Sequence, residues 1–192
     1  FLGINMVKNV IYIAGVARSG TSWVGQIFNS SSKVRFRFQP LFSYQFKNWI
    51  NEDSSKDDFG KLFDAMYKNE DEFLVQSDKI RSGEYPTFKK DPDQKFLVFK
   101  ENRYQNVIEP ILRKIPNVKF IGVVRNPCAV LSSWMKNEKE FPTGSVPLEE
   151  WRYGDCKNQG HQDFFGFYKW KEVTNLYLDL KAKFPNRVYV QK

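Results

Sequence analysis

Two short stretches of this chain combine residue types that bind phosphate-like anions. The first is Gly15-Val16-Ala17-Arg18-Ser19-Gly20-Thr21-Ser22, set between an apolar run and an amphipathic one. Small residues let the backbone approach a ligand, so that successive amides point at one anion. A helix starting at the end of the loop adds free N–H groups and the positive end of its dipole. Gly15 and Gly20 keep the spacing of the phosphate-cradling GxxxxGK[ST] loop, but Thr21 stands where the lysine belongs and the basic residue sits inside the loop as Arg18. The lysine and hydroxyl arrangement of a magnesium-dependent nucleotide enzyme is therefore not reproduced. The second stretch, residues 123–134, reads VVRNPCAVLSSW. Arg125 ends an apolar run and Ser133 lies one to two helical turns further on. A guanidinium fork with a hydroxyl suits a terminal phosphate monoester. Taken singly, each stretch also reads as an ordinary strand–helix turn with a solvated arginine and a packing serine.

These side chains need elements to hold them. Residues 9–15 (NVIYIAG) read as a strand buried on both faces, and residues 23–28 place Trp23, Val24, Ile27 and Phe28 at helical spacing. Residues 95–100, 118–124 and 187–191 read as further strands. Helical patterns over 106–115, 129–135 and 163–184 alternate with them, Pro127 standing where a first helical turn begins. The alternation predicts an α/β fold, a P-loop-like parallel sheet flanked by helices with right-handed crossovers. Arg125 then falls at the carboxyl edge, where such sheets bind ligands. Residues 31–92 break the pattern. They are polar, irregular and dotted with aromatics, and are expected to form an insertion or lid with helices near 41–50, 58–68 and 71–79.

With 192 residues the chain is expected to be one domain over 1–192. Lys plus Arg at 30 against Asp plus Glu at 22 leaves +8, which favours an anionic partner: nucleotide phosphates, sulfated sugars, nucleic acid or acidic lipid. Two cysteines and one histidine exclude a disulfide-dense scaffold, a four-cysteine zinc site and a multi-histidine metal centre. No apolar run has the length of a membrane span, and no secretory segment follows Phe1, an opening residue that reads as the start of a fragment. The expected compartment is the cytoplasm, with the Golgi lumen, as the catalytic part of an anchored parent, as the alternative.

Taken together, strand–GxxRSGTSW and strand–RNPxxxxxS resemble the sulfotransferase family that uses 3′-phosphoadenosine 5′-phosphosulfate (PAPS), closest in motif style to its carbohydrate-modifying members. Arg18, Ser19, Gly20, Thr21, Ser22 and Trp23 match that family's 5′-phosphosulfate loop, and Arg125 with Ser133 its 3′-phosphate pair. Phe38-Gln39-Pro40-Leu41 is similar to the Glu-Pro-Leu stretch of carbohydrate-type members, with Gln39 in place of the glutamate. Lys100-Glu101-Asn102-Arg103 is similar to their Lys-x-x-Arg. The resemblance is strongest over 18–23 and 125–133 and poor over 51–91. It implies transfer of a sulfuryl group from PAPS, without a metal, to an acceptor hydroxyl, a glycan or another small molecule, with no nucleic-acid partner. It also implies that the family's C-terminal clamp on the nucleotide lies beyond Lys192.

By that resemblance Arg18 stabilises the leaving group, Lys100 neutralises the sulfuryl oxygens, and a base takes the hydroxyl proton. Phenol- and steroid-modifying members place a histidine where Asn102 stands, and an amide cannot take a proton. Glu101 is the nearest replacement, although a lone glutamate between Lys100 and Arg103 also reads as their ion-pair partner. His161 reads as surface. Three alternatives stay open: a P-loop nucleotide phosphotransferase, a basic anion- or nucleic-acid-binding domain without catalysis, and a family member that binds nucleotide but has lost its base.

Overall fold

The computed structural model describes residues 7 and 9–192. Strands β1 (Val10–Ala14), β2 (Val34–Phe38), β3 (Phe96–Glu101), β4 (Val118–Val123) and β5 (Val188–Gln191) form a parallel sheet in the order β2-β3-β1-β4-β5. The central strands read VIYIA, FLVFKE and VKFIGV, apolar almost throughout because both faces are covered. The registers Ile13↔Lys100, Ala14↔Glu101 and Ala14↔Gly122 bring β1, β3 and β4 to an end along one edge.

Helix α1 (Thr21–Asn29) covers one face, where Ile13, Val34, Phe36 and Val98 pack together with its Val24 and Phe28. On the other face Tyr12, Phe99 and Phe120 pack with residues of α2 (Lys56–Lys68), α5 (Ile108–Lys114) and α8 (Phe167–Lys183). Here the high aromatic content is put to use. Tyr12 stacks on Phe99 at 4.4 Å, meets Phe120 edge-on at 5.6 Å, and Phe120 meets Tyr177 of α8 at 5.1 Å. Such pairs add about 0.5–1.5 kcal/mol each beyond the area they bury.

The four strands expected from the sequence are present. The segment 31–92 differs from expectation: it opens with β2, which pairs with β3 at the sheet edge. The helix expected over 41–50 is a single 3₁₀ turn at Pro40–Phe42 followed by turns, because Gln39 is left-handed (φ 42°) and Ser43 is extended. The helix expected over 71–79 is split into α3 (Glu72–Val75) and α4 (Ser77–Arg81) by left-handed Gln76 (φ 58°). Helix α6 (Pro127–Met135) follows β4 and α7 (Pro147–Glu150) lies in the long loop beyond it. Helix α8 starts at Phe167 rather than 163, the intervening residues being drawn into a loop anchored by Asp163. Among the described residues no helix is long and apolar enough to cross a membrane.

The topology fixes where a ligand can sit. From β1 the chain runs through α1 toward β2; from β4 it runs the opposite way, toward β5. The loops after these two adjacent strands diverge and leave a crevice at their carboxyl ends.

Candidate active site

The crevice is walled by the two stretches that the sequence singles out. Residues 15–20 turn β1 into α1. Gly15 has to be glycine: a Cβ there would lie 2.3 Å from Ser19 Oγ and 2.7 Å from the Val123 carbonyl oxygen. Arg18 (φ 70°) and Gly20 (φ 97°) are both left-handed, which curls the loop into a concave nest of amides. Strain of this kind in a non-glycine residue such as Arg18 is kept where surrounding structure enforces it. Gly20 caps α1 with no side chain, and no acidic residue occupies the first turn, so its N–H groups face the crevice unneutralised. Ser19 is buried, and its Oγ has no hydrogen-bond partner among the described residues. A buried hydroxyl left unpaired costs free energy, and Ser19 lies on the wall of the groove beside the loop.

The second stretch meets the first directly. Asn126 Oδ1 accepts from the amides of Cys128 (2.9 Å) and Ala129 (3.3 Å), starting α6 with Pro127 in its first turn. That start aims Arg125 back over the loop, where its Nη1 donates to the Arg18 carbonyl oxygen at 3.1 Å. Trp170 of α8 holds Arg125 from the other side by donating Nε1–H to its carbonyl oxygen at 3.0 Å. From α6, Ser133 Oγ accepts from Arg18 Nε at 3.0 Å. Arg18, Arg125 and Ser133 therefore share one cleft.

Thr21 is buried at the start of α1 and donates its hydroxyl hydrogen to Asn102 Oδ1 at 2.9 Å. Asn102 links the end of β3 to the loop, a contact the sequence reading passed over by treating it only as a missing histidine. Ser22 is half-buried beside it, and Trp23 is 72% exposed. Trp23 opens a groove of about 980 Å³ that runs from Ser19 and Gly20 past Ile27, over β4, to Tyr189 on β5.

The two residues at the end of β3 part company. Lys100 pairs with Ile13 and faces the α1 side, 1% exposed, with Nζ 4.3 Å above the Phe38 ring. Burial holds its ammonium below the usual lysine range, against the pull of nearby carboxylates. Glu101 pairs with Ala14 and faces the opposite side, wholly buried beneath the 39–42 turn. Its Oε1 accepts from the Leu41 amide at 2.6 Å, while Oε2 has no partner. Burial pushes its carboxyl well above the usual range, the Leu41 amide opposing. Strand alternation separates Glu101 from Lys100, and Arg103 is paired elsewhere, so neither the open proton acceptor nor the Lys100–Arg103 ion-pair partner expected of Glu101 is what the structure has at this position.

Arg103 instead pairs with Asp163 (3.1 Å) and lies 4.8 Å over the Phe42 ring. Gln162 Oε1 accepts from the Tyr104 amide at 2.6 Å, so the 158–165 loop is fastened across the end of β3. Between that loop and the 39–42 turn lies a cavity of about 220 Å³, reaching Ala17 and Asn102 beside the anion loop. Gln39, Arg103, Glu140 and Gln162 line it. Glu140 and Gln162 lie in a polar loop with no periodic pattern, and nothing in their spacing could have singled them out. His161 is exposed, as expected.

Sheet order and loop geometry define an α/β protein of the P-loop type. The profile of the Sulfotransferase family matches residues 10–175, and the chain belongs to that family. Its fold is similar to that of the crystal structure of a sulfotransferase from Alicyclobacillus acidocaldarius, with TM-score 0.52 and 14% identity over 94% of this chain and 71% of that one. A candidate kinase from Chloroflexus aurantiacus J-10-fl aligns at TM-score 0.35 and 13% identity, over 87% of this chain and 78% of its own, too loosely to carry an argument. No curated protein sequence matches the chain.

Proposed function

We propose that this protein transfers a sulfuryl group from PAPS to a hydroxyl of a carbohydrate. The observation that carries the reading is the contact between its two anion-binding stretches: Arg125 on the Arg18 carbonyl and Arg18 on Ser133. A donor with anionic groups on both the 3′ and the 5′ position of its ribose needs two such anchors at a fixed separation, and a family fold with both in one cleft supports it. The unpartnered Ser19 hydroxyl and the cradle that only Gly15 permits fit the sulfonated end. The exposed Trp23 ring at the mouth of the apolar groove offers a face to the adenine.

Bound PAPS supplies an activated sulfur with a phosphate as leaving group. Ser19, Gly20, Ser22 and Trp23 hold that phosphate with amides and hydroxyls, and Arg125 and Ser133 hold the ribose phosphate. Arg18 stands where charge grows on the bridging oxygen, and a preorganised cation there is the largest contribution a site of this type makes. Lys100 is buried over the Phe38 ring and lines neither cavity, so in place of the expected contact with the sulfuryl oxygens it adds only positive charge at the end of β3. Thr21 and Asn102 fix the helix start against the end of β3. Glu101 holds the 39–42 turn through the Leu41 amide, so that its role is positional. The acceptor enters by the cavity at Gln39 and Gln162, whose mixture of amides, a cation and aromatic walls suits sugar hydroxyls. We place the reaction in the cytoplasm, which agrees with two unpaired cysteines.

A thermal shift tests this. 3′,5′-Adenosine bisphosphate at a hundred times its Kd is expected to add about 2.7 kcal/mol of stability, and ATP with magnesium much less. Equal stabilisation by both, or binding that depends steeply on salt without discriminating the bisphosphate from AMP, would refute the proposal.

A further inference from the structure

We infer that Glu140 is the general base of the transfer, the carboxylate that takes the proton from the acceptor hydroxyl. The inference rests on the donor reading above and adds the residue which that reading lacks.

The cavity beside the anion loop holds few groups able to accept a proton. Gln39 and Asn102 are amides, and Arg103 and Lys157 are cations; Glu140 is the one carboxylate on its wall. Other carboxylates nearby are committed. Glu101 is sealed beneath the 39–42 turn, and Asp163 is bonded to Arg103 and to the amides of Gln159 and Gly160. Glu140 has its side chain 30% exposed, and its Oε2 lies 3.9 Å from Arg18 Nε. Glu140 thus stands on the wall of the cavity by which the acceptor enters, one side chain away from the Arg18 guanidinium. At that separation a partly exposed pair adds little to stability, so the carboxylate stays available to substrate.

Its position is held independently of the ligand. Trp134 Nε1 donates to the Glu140 carbonyl oxygen at 3.1 Å, and Asn137 Nδ2 donates to Oε2 at 3.2 Å. Phe141, the next residue, packs edge-on against Trp134 at 5.1 Å. Trp134 directly follows Ser133 in α6, so one helix end carries a donor contact and braces the base in the loop beyond it. In the step, the acceptor oxygen bonds to sulfur and the bond from sulfur to the phosphate oxygen breaks, its electron pair staying on the phosphate. The hydroxyl proton passes to the Glu140 carboxylate, which returns it to solvent.

The experiment uses the whole chain, [³⁵S]PAPS and three acceptors: chitotriose, desulfated heparin and 4-nitrophenol. Glu140→Gln is expected to lower kcat about 10²- to 10⁴-fold, with KM for PAPS nearly unchanged and the acid limb of the pH–rate profile lost. Glu140→Asp is expected to recover part of the rate, and the exposed Glu149→Gln to behave as wild type. Binding of 3′,5′-adenosine bisphosphate by Glu140→Gln, read by calorimetry, is expected to be equal to wild type or tighter, since a negative charge has left Arg18. If Glu140→Gln binds the bisphosphate and transfers within threefold of wild type, the inference is overturned while the donor reading stands. A wild type that binds the bisphosphate but transfers to none of the three acceptors overturns it as well. A wild type that does not bind the bisphosphate overturns the donor reading, and the inference with it.

Discussion

The two halves of the cleft are built by different means. The half proposed to cradle the donor hangs on β1 and β4, neighbouring strands at the centre of the sheet, and offers it mainly backbone amides and two arginines. The opposite half, proposed for the acceptor, around Gln39, Glu140 and Gln162, is assembled from loops at 39–42 and 137–165, and offers it side chains alone. A backbone cradle has strict steric demands: one position without a Cβ and two left-handed residues in three. A side-chain lining has none, because many residue types fill a loop-built pocket equally well. The donor half should therefore fail sharply on small substitutions, and the acceptor half should change its preference gradually.

The largest break in that comparison is Gly15→Ala. The added methyl meets both Ser19 Oγ and the immobile Val123 carbonyl, so the loop has to open. Overpacking of this kind costs about 1–3 kcal/mol, and the bisphosphate is expected to give no measurable thermal shift even if the variant stays folded. Gln39→Ala, a larger change in volume but on the acceptor side, should leave bisphosphate affinity within threefold in calorimetry. Equal damage to donor binding by both would abolish the distinction between the halves.

Next in size are Arg125→Ala and Arg18→Ala. A hydrogen bond to a charged group is worth about 1.5–3 kcal/mol, so each variant is expected to weaken bisphosphate binding about 10- to 100-fold in calorimetry. They should differ in kind as well. Arg125 also ties the two stretches together through the Arg18 carbonyl, so its loss should lower the melting temperature of the ligand-free protein. Arg18, bound through its side chain to Ser133 and only loosely to Glu140, should lower it less. Wild-type affinity in either variant would undo the assignment of the cradle.

The same asymmetry decides what the sequence revealed. The loop after β1 and the Arg125–Ser133 stretch were legible because steric demands on the backbone confine them to a few residue types at fixed offsets. The central strands were legible because both of their faces are buried. Strand β2 was not: VRFRF alternates large apolar residues with arginines and looks solvent-facing. Arg37 is nonetheless 3% exposed, its guanidinium donating to the carbonyls of Met66 and Phe36 and to Glu70. A buried cation satisfied from a helix end many residues away leaves no local trace in the sequence. Glu140 was hidden for a related reason, since its place beside Arg18 depends on how α6 ends and on the Trp134 indole, neither of which has a spacing rule.

The smallest effect concerns Glu101, and there the sign of a pH dependence separates a buried support from an open base. Its folded-state pKa is pushed up to about 8 by burial, far above that of the unfolded chain. Between the ordinary carboxylate range and about pH 8 the folded protein therefore holds the proton that the unfolded chain has lost. Stability from this group is full below that window and declines as pH rises through it. Glu101→Gln keeps an oxygen for the Leu41 amide and removes the charge that would have to be buried. The melting temperature of the variant relative to wild type is expected to rise from pH 5 to about pH 8, by a few degrees, and to level off above it, while transfer activity with chitotriose stays within a few-fold. A variant with a constant offset in melting temperature and a rate lowered a hundredfold would return Glu101 to the acceptor side of the cleft and make it, rather than Glu140, the group that takes the proton.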